Sequence, residues 1–301
     1  MSEQFITHGP LRIWASEAGK GPPVLLIAGA NASGLMWPDA FVAMLAAAGY
    51  RVIRYDHRDT GRSSRGGPPY GIADLAADAV AVLDGLGIAR AHVVGLSLGA
   101  TLGQVLALDH PDRLLSLTLM MGAALDVDFA GNWARAYAGE PAAGPLPGPR
   151  AEVIRAFAAP LADHTAELDR RVAQWRLLSP PGAPFDAADF RAREDAEIRH
   201  AGVIPAPTAH AAATPIPLER GRELAQIRLP VLVIQAMDDP LNPPPHGRHL
   251  ADLIPDAHLV EITGLGHALP QNHLAPLAEM LTQFWHGHAG PSPDIYANWS
   301  E

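Results

Sequence analysis

Short apolar runs bounded by turn residues recur through the first part of the chain, at 11–15, 24–27, 52–55, 92–96 and 114–121, and they predict β-strands. Between several of them lie helical patterns at 39–48, 72–86 and 98–110, closed by Gly49, Gly87 and Pro111. Strands alternating with helices predict a mostly parallel twisted sheet covered by helices on both faces.

The alternation stops after Met121. Residues 124–228 shift to prolines, glycines and charged helical stretches, including 141–149, 166–178, 186–200 and 205–217. This is too long for an ordinary loop, so it is expected to carry helices of its own and to form a mobile lid. The strand–helix pattern resumes at 231–236, near 245–253, at 258–262 and at 274–285, and the polar, glycine- and proline-rich end reads as a tail. The expected organisation is a core of 1–123 and 229–287, a helical cap at 124–228 and a tail at 288–301. No internal repeat is evident.

Composition narrows the function. A chain of 301 residues can bury a sizeable core, and a net charge of −10 with dispersed arginines and no basic stripe argues against nucleic acid as a partner. There is no cysteine, hence no disulfide, thiolate nucleophile or cysteine-based metal site. The start, Met1-Ser2-Glu3-Gln4-Phe5, lacks a basic and then apolar leader, and no apolar run is long enough to span a bilayer. A soluble cytoplasmic protein with no membrane partner is expected.

The chemistry concentrates at Gly95-Leu96-Ser97-Leu98-Gly99, which joins the strand at 92–96 to the helix at 98–110. A serine on so tight a strand-to-helix turn is a nucleophile elbow, with glycines on its flanks because the turn leaves no room for side chains. A serine hydroxyl is a weak nucleophile at neutral pH, so Ser97 needs a base and an acid to orient it. The chain has 14 histidines, and position selects His267, in Gly264-Leu265-Gly266-His267-Ala268-Leu269-Pro270 at the carboxyl end of the last strand. The acid is Asp239 or its neighbour Asp238. Asp239 is preferred because Pro240 biases it to an extended turn, leaving Asp238 as a turn carboxylate. Asp56 and Asp59 also end a strand, but they precede the serine, and bracing a loop with Arg58 or Arg62 is the job expected of them. Two backbone N–H groups must receive the oxyanion: Leu98, after the serine, and Ala30, in the small-residue loop Ala28-Gly29-Ala30-Asn31-Ala32-Ser33-Gly34.

The elbow, the late Asp-Pro turn and the Gly-His loop resemble the α/β-hydrolase superfamily across nearly the whole chain. Asn31, Ser33, Trp37-Pro38-Asp39, the run Arg54-Tyr55-Asp56-His57-Arg58-Asp59-Thr60-Gly61-Arg62-Ser63, and Ala91-His92-Val93-Val94-Gly95-Leu96-Ser97 resemble the aclacinomycin methylesterase family. So do Trp175-Arg176-Leu177-Leu178-Ser179, Val233-Ile234-Gln235-Ala236, Asp239-Pro240 and Gly266-His267-Ala268-Leu269-Pro270. That family hydrolyses a methyl carboxylate ester on an anthracycline in antibiotic tailoring. The resemblance implies an α/β-hydrolase fold with a helical cap inserted after the sixth strand, Ser97 as nucleophile, Asp239 as acid, His267 as base, and Ala30 and Leu98 as oxyanion donors. Two positions depart from the superfamily pattern. Ala28-Gly29 stands where many members have His-Gly, and Ala30 where glycine is common, so its methyl crowds the oxyanion pocket.

The leading expectation is hydrolysis of a carboxylic ester, with no metal or organic cofactor. Epoxide hydrolases and haloalkane dehalogenases of this fold use an aspartate nucleophile, which Ser97 argues against. Carbon–carbon bond hydrolases, perhydrolases and a binding protein without turnover remain as alternatives. Asn31, Trp37, Phe129, Trp133 and Trp175, with Met36 and Leu178, are candidates for the pocket wall, and the expected substrate is a bulky, largely apolar small-molecule ester with a small alcohol leaving group. The expected assembly is a monomer or homodimer.

Overall fold

A computed structural model describes residues 1–158, 166–204 and 206–287, so the tail expected at 288–301 lies outside the described residues. Eight strands form one sheet: β1 (Ser2–His8), β2 (Leu11–Ala18), β3 (Pro23–Ile27), β4 (Arg51–Tyr55), β5 (Ala91–Leu96), β6 (Leu114–Met120), β7 (Val231–Ala236) and β8 (His258–Ile262). Their order is β1-β2-β4-β3-β5-β6-β7-β8. β1 with β2 and β2 with β4 pair antiparallel, and every later neighbour is parallel. Parallel neighbours require crossovers, which α1 (Asp39–Ala47), α2 (Ile72–Gly85), α3 (Leu98–Asp109) and α8 (His246–Leu253) supply, and α9 (Gln271–Gly287) follows the last strand.

The central strands divide their side chains between two apolar cores. Leu25, Ile27, Val93, Val231 and Val233 pack on one face with α2, α3 and α8, among them Leu75, Val82, Leu102, Leu106 and Leu250. Val24, Leu26, Val94, Leu232 and Ile234 pack on the other with Phe41 and Leu45 of α1 and Leu277, Leu281 and Phe284 of α9. Burial on both faces is why these strands read as unbroken apolar runs.

β1 is the strand that the apolar pattern misses. It lies at the sheet edge, and of its seven residues only Ile6 is buried, so polar residues occupy most positions. With β1 counted, Leu114–Met120 is the sixth strand, and the helical excursion follows it. The excursion carries α4 (Phe129–Ala138), α5 (Ala151–Ala158), α6 (Glu167–Leu178) and α7 (Ala187–Ala201). Asp128 caps α4 by accepting from Gly131 N–H, and Asp186 caps α7 by accepting from Ala188 and Asp189 N–H. These helices share a third apolar cluster, Ala136, Val153, Ile154, Leu178 and Phe190, which also takes in Leu241 and Ala268 from the loops after β7 and β8. Among the described residues no helix is long and apolar enough to cross a membrane.

Candidate active site

Ser97 sits between β5 and α3 with φ 56° and ψ −116°, a left-handed conformation that costs a non-glycine residue about 1–3 kcal/mol. The surroundings hold it there: Ser97 N–H donates to the Met120 carbonyl at 2.9 Å, and its own carbonyl accepts from Ala100 N–H at 2.9 Å. The flanking glycines are required by backbone crossing. A Cβ on Gly95 would lie 2.0 Å from the Gly99 carbonyl oxygen, and one on Gly99 would lie 2.3 Å from that of Ile27. Leu98 is the first residue of α3, so its N–H has no acceptor within the helix.

The loop after β3 comes against the elbow at Gly29, where a Cβ would meet Met36 Cε at 3.4 Å and Ser97 Cβ at 3.5 Å. Gly29 N–H points to Met36 Sδ at 3.2 Å, which holds the Met36 thioether against the loop. Ala30 follows and is exposed, while Asn31 adopts φ 58°.

The two aspartates after β7 have different partners. Asp239 is fully buried, and its Oδ2 accepts from His267 Nδ1–H at 2.8 Å while Oδ1 accepts from Leu241 N–H at 2.7 Å and Asn242 N–H at 3.0 Å. A carboxylate so placed fixes the imidazole tautomer and leaves Nε2 with a lone pair. Asp238 accepts instead from Gly264 N–H at 3.0 Å, bracing the start of the loop that carries His267. His267 is 5% exposed. The cap grips its backbone: His267 N–H donates to the Leu178 carbonyl at 2.7 Å, and Arg193 Nη1 of α7 donates to the Leu269 carbonyl at 2.7 Å. A Cβ on Gly266 would lie 2.2 Å from the Leu178 oxygen, so glycine there lets the cap approach.

Asp56 and Asp59 do brace their loop, but with partners other than the arginine side chains. Asp56 is fully buried and accepts from Gly34 N–H at 2.9 Å, Arg62 N–H at 2.7 Å and His200 Nε2 at 2.7 Å, and Asp59 accepts from Gly66 N–H at 2.7 Å. The Arg58 guanidinium pairs bidentately with Asp78, and that of Arg62 pairs with Glu3.

The expected pocket wall divides. Trp37 is fully buried and stacks on Phe41 at 5.7 Å within the core shared with α1, so it is a packing residue rather than an accessible wall. Its apolar bulk is what made it look like a ligand contact. Phe129 and Trp133 pair at 5.8 Å on α4, and Trp175 stacks on Phe190 at 5.4 Å while its Nε1–H donates to Glu194. Trp133, Trp175 and Leu178 join the cap cluster, which touches the site loops through Leu241 and Ala268.

Three residues near the site escape the pattern reading. Glu197 of α7 hydrogen-bonds the Ser33 side chain, and desolvation, with Glu194 and Asp56 nearby, raises its pKa to about 7. Fully buried His57 and nearly buried His210 hold the loop after β3. His210 lies 179 residues from its partner Asn31, a separation at which local pattern carries no signal. Among the described residues no group of three His, Cys, Asp or Glu is arranged to hold a metal ion.

A family model described as the alpha/beta hydrolase fold matches residues 22–270. The chain belongs to the α/β-hydrolase family. It is 51% identical over 286 residues to rhodomycin D methylesterase DauP of Streptomyces sp. (strain C5), covering 92% of this chain and 96% of that protein. Rhodomycin D methylesterase DnrP of Streptomyces peucetius is 50% identical with the same coverage. Among solved structures, a hydrolase from Pseudomonas aeruginosa PA01 superposes with a TM-score of 0.67 at 27% identity, covering 95% of this chain and 98% of that one. This α/β-hydrolase therefore meets the expectation of a resemblance to anthracycline methylesterases.

Proposed function

We propose that this α/β-hydrolase is a carboxylic ester hydrolase that removes the methyl group from a methyl ester of a polycyclic, polyketide-derived acid. The observation that carries the reading is a buried Asp239–His267 pair together with a strained serine elbow, in a chain half identical to two rhodomycin D methylesterases. His267 Nε2 takes the Ser97 proton as Oγ attacks the ester carbonyl, and the oxyanion is received by Ala30 and Leu98 N–H. Methanol leaves with that proton, giving an acyl-enzyme on Ser97. Water then attacks the acyl carbon, passing a proton to His267, and the acid departs as the proton returns to Ser97. The half-buried aromatic residues of the cap, Phe129, Trp133 and Trp175, offer the apolar wall.

Incubation with rhodomycin D, followed by mass spectrometry for the demethylated acid, tests the reaction, and a fluorophosphonate tests the nucleophile. The expected outcome is methanol release with one phosphonyl adduct on Ser97, both lost in Ser97→Ala, whose kcat falls by about 10⁶-fold. Ester turnover that survives Ser97→Ala, or a folded wild type that neither turns over methyl esters nor takes the label, overturns the proposal.

A further inference from the structure

The loop after β3 is held from behind by two imidazoles. His57 places Nε2 3.0 Å from the Ala28 carbonyl oxygen, and because a carbonyl only accepts, Nε2 carries the proton. His210 lies in the short turn Ala209–Ala212, where the chain returns from cap to core. Its Nδ1 accepts Asn31 N–H at 2.9 Å, and its Nε2–H donates to the Arg58 carbonyl at 3.1 Å. Asn31 Oδ1 in turn accepts His210 N–H at 3.2 Å, so the two residues form a reciprocal clamp. The two rings pack edge to face at 5.4 Å.

This arrangement uses only neutral His210 with its proton on Nε2, since a proton on Nδ1 would face the Asn31 N–H. Burial disfavours the charged form of both imidazoles and pushes His57 down to about 3. The peptide planes on either side of Gly29 and Ala30 are thereby pinned, one at the Ala28 carbonyl and the other at Asn31 N–H. Peptides are planar, so a donor between two pinned planes has few soft torsions left. The left-handed φ of Asn31 sets how its side chain stands relative to the pinned N–H, and in this conformation N–H and Oδ1 both meet His210.

We propose that His210 is a positioning residue that fixes the Ala30 N–H for the oxyanion through its clamp on Asn31, linking the return of the cap to transition-state stabilisation. The proposal rests on the reading of Ala30 as an oxyanion donor. It assigns a role to the end of the cap that is distinct from shaping a pocket: the same turn that closes the insertion sets the aim of a backbone dipole.

Hydrolysis of p-nitrophenyl acetate and inhibition by an aryl trifluoromethyl ketone, whose carbonyl Ser97 attacks to give a hemiketal oxyanion, test it in the full-length protein. His210→Phe keeps a ring but removes the acceptor, whereas His210→Asn sets an amide oxygen near the Nδ1 position. For His210→Phe the expected result is a loss in kcat of about 10- to 100-fold at nearly constant KM, with a matching loss of ketone affinity. His210→Asn recovers most of both. Asn31→Gly, which adopts positive φ freely and deletes only the Oδ1 arm, loses a smaller part of kcat at wild-type stability and decides the matter if His210→Phe does not fold. Unchanged kcat in the folded variants, or a loss that Asn does not recover and that leaves ketone affinity intact, overturns the proposal. A wild type inert to both ester and ketone would instead refute the esterase reading itself, so the two failures are distinguishable.

Discussion

The neighbouring acids after β7 illustrate how one residue of offset separates two jobs. Asp239 faces His267 from a fully buried position with two backbone N–H groups on its other oxygen, whereas Asp238 turns outward to Gly264 N–H. Asp239→Asn keeps the volume but offers an amide that can misorient the imidazole, and kcat is expected to fall by about 10⁴-fold. Asp238→Asn keeps an acceptor for Gly264 and should leave kcat within roughly threefold, as substitutions away from a charged contact usually do. Steady-state hydrolysis by the two variants checks this, and equal losses would mean that Asp238 acts on the imidazole as well. The Asp239-Pro240 dipeptide already pointed to the member of the pair that meets His267, because the proline constrains the turn. His210 gave no such sign, because a histidine's value as a clamp depends on a distant chain segment that only the fold brings near.

At the level of elements, α7 meets the core through Glu197 and His200, which reach Ser33 and Asp56 near the start of the short turn Gly34–Met36. Desolvation raises the Glu197 carboxyl to about 7, with Glu194 and Asp56 acting in the same direction and Ser33 and His200 against it. The folded value thus exceeds the ordinary value of about 4.3, and between those limits the folded chain holds a proton that the unfolded chain gives up. The contribution is fully present below about pH 4.3 and is lost as pH rises through about 7. Glu197→Gln keeps a hydrogen-bonding group without the charge, so its Tm relative to wild type should rise between about pH 5 and about pH 8. Thermal melts across that range check it, and a constant difference would show that the Glu197 carboxyl has an ordinary pKa. The core helices and central strands were legible because both faces of the sheet are buried and turns punctuate each run. Edge strand β1 was not, since one buried residue in seven leaves no period to read. Within the cap, α6 and α7 stood out by charge pattern, while short α4 and α5 lie among glycine- and proline-rich stretches that masked them.

Across the whole molecule the cap and the site loops share structure. Leu178 carbonyl, Arg193, Leu241 and Ala268 tie α6 and α7 to the segments that follow Asp239 and carry His267, and Arg150 N–H donates to the Pro240 carbonyl at 2.8 Å. Such a unit should open cooperatively. Hydrogen exchange is expected to show α7 amides and the His267 amide losing protection together in Arg193→Ala, and a loss confined to α7 would show that the helix opens independently. A change of composition opens the stretch in which the cap helices lie, yet nothing in the sequence reveals that Leu241 and Ala268 belong to the cap's interior. Their identities as small or medium apolar residues fit either side. That shared interior bears on how such enzymes exchange specificity. A cap transplanted from a relative along the composition boundaries would arrive without the two residues that complete its packing, and it would press a foreign backbone against Gly266. The transferable cassette is discontinuous: the insertion together with the short loops after β7 and β8, grafted as three pieces around a serine that stays behind.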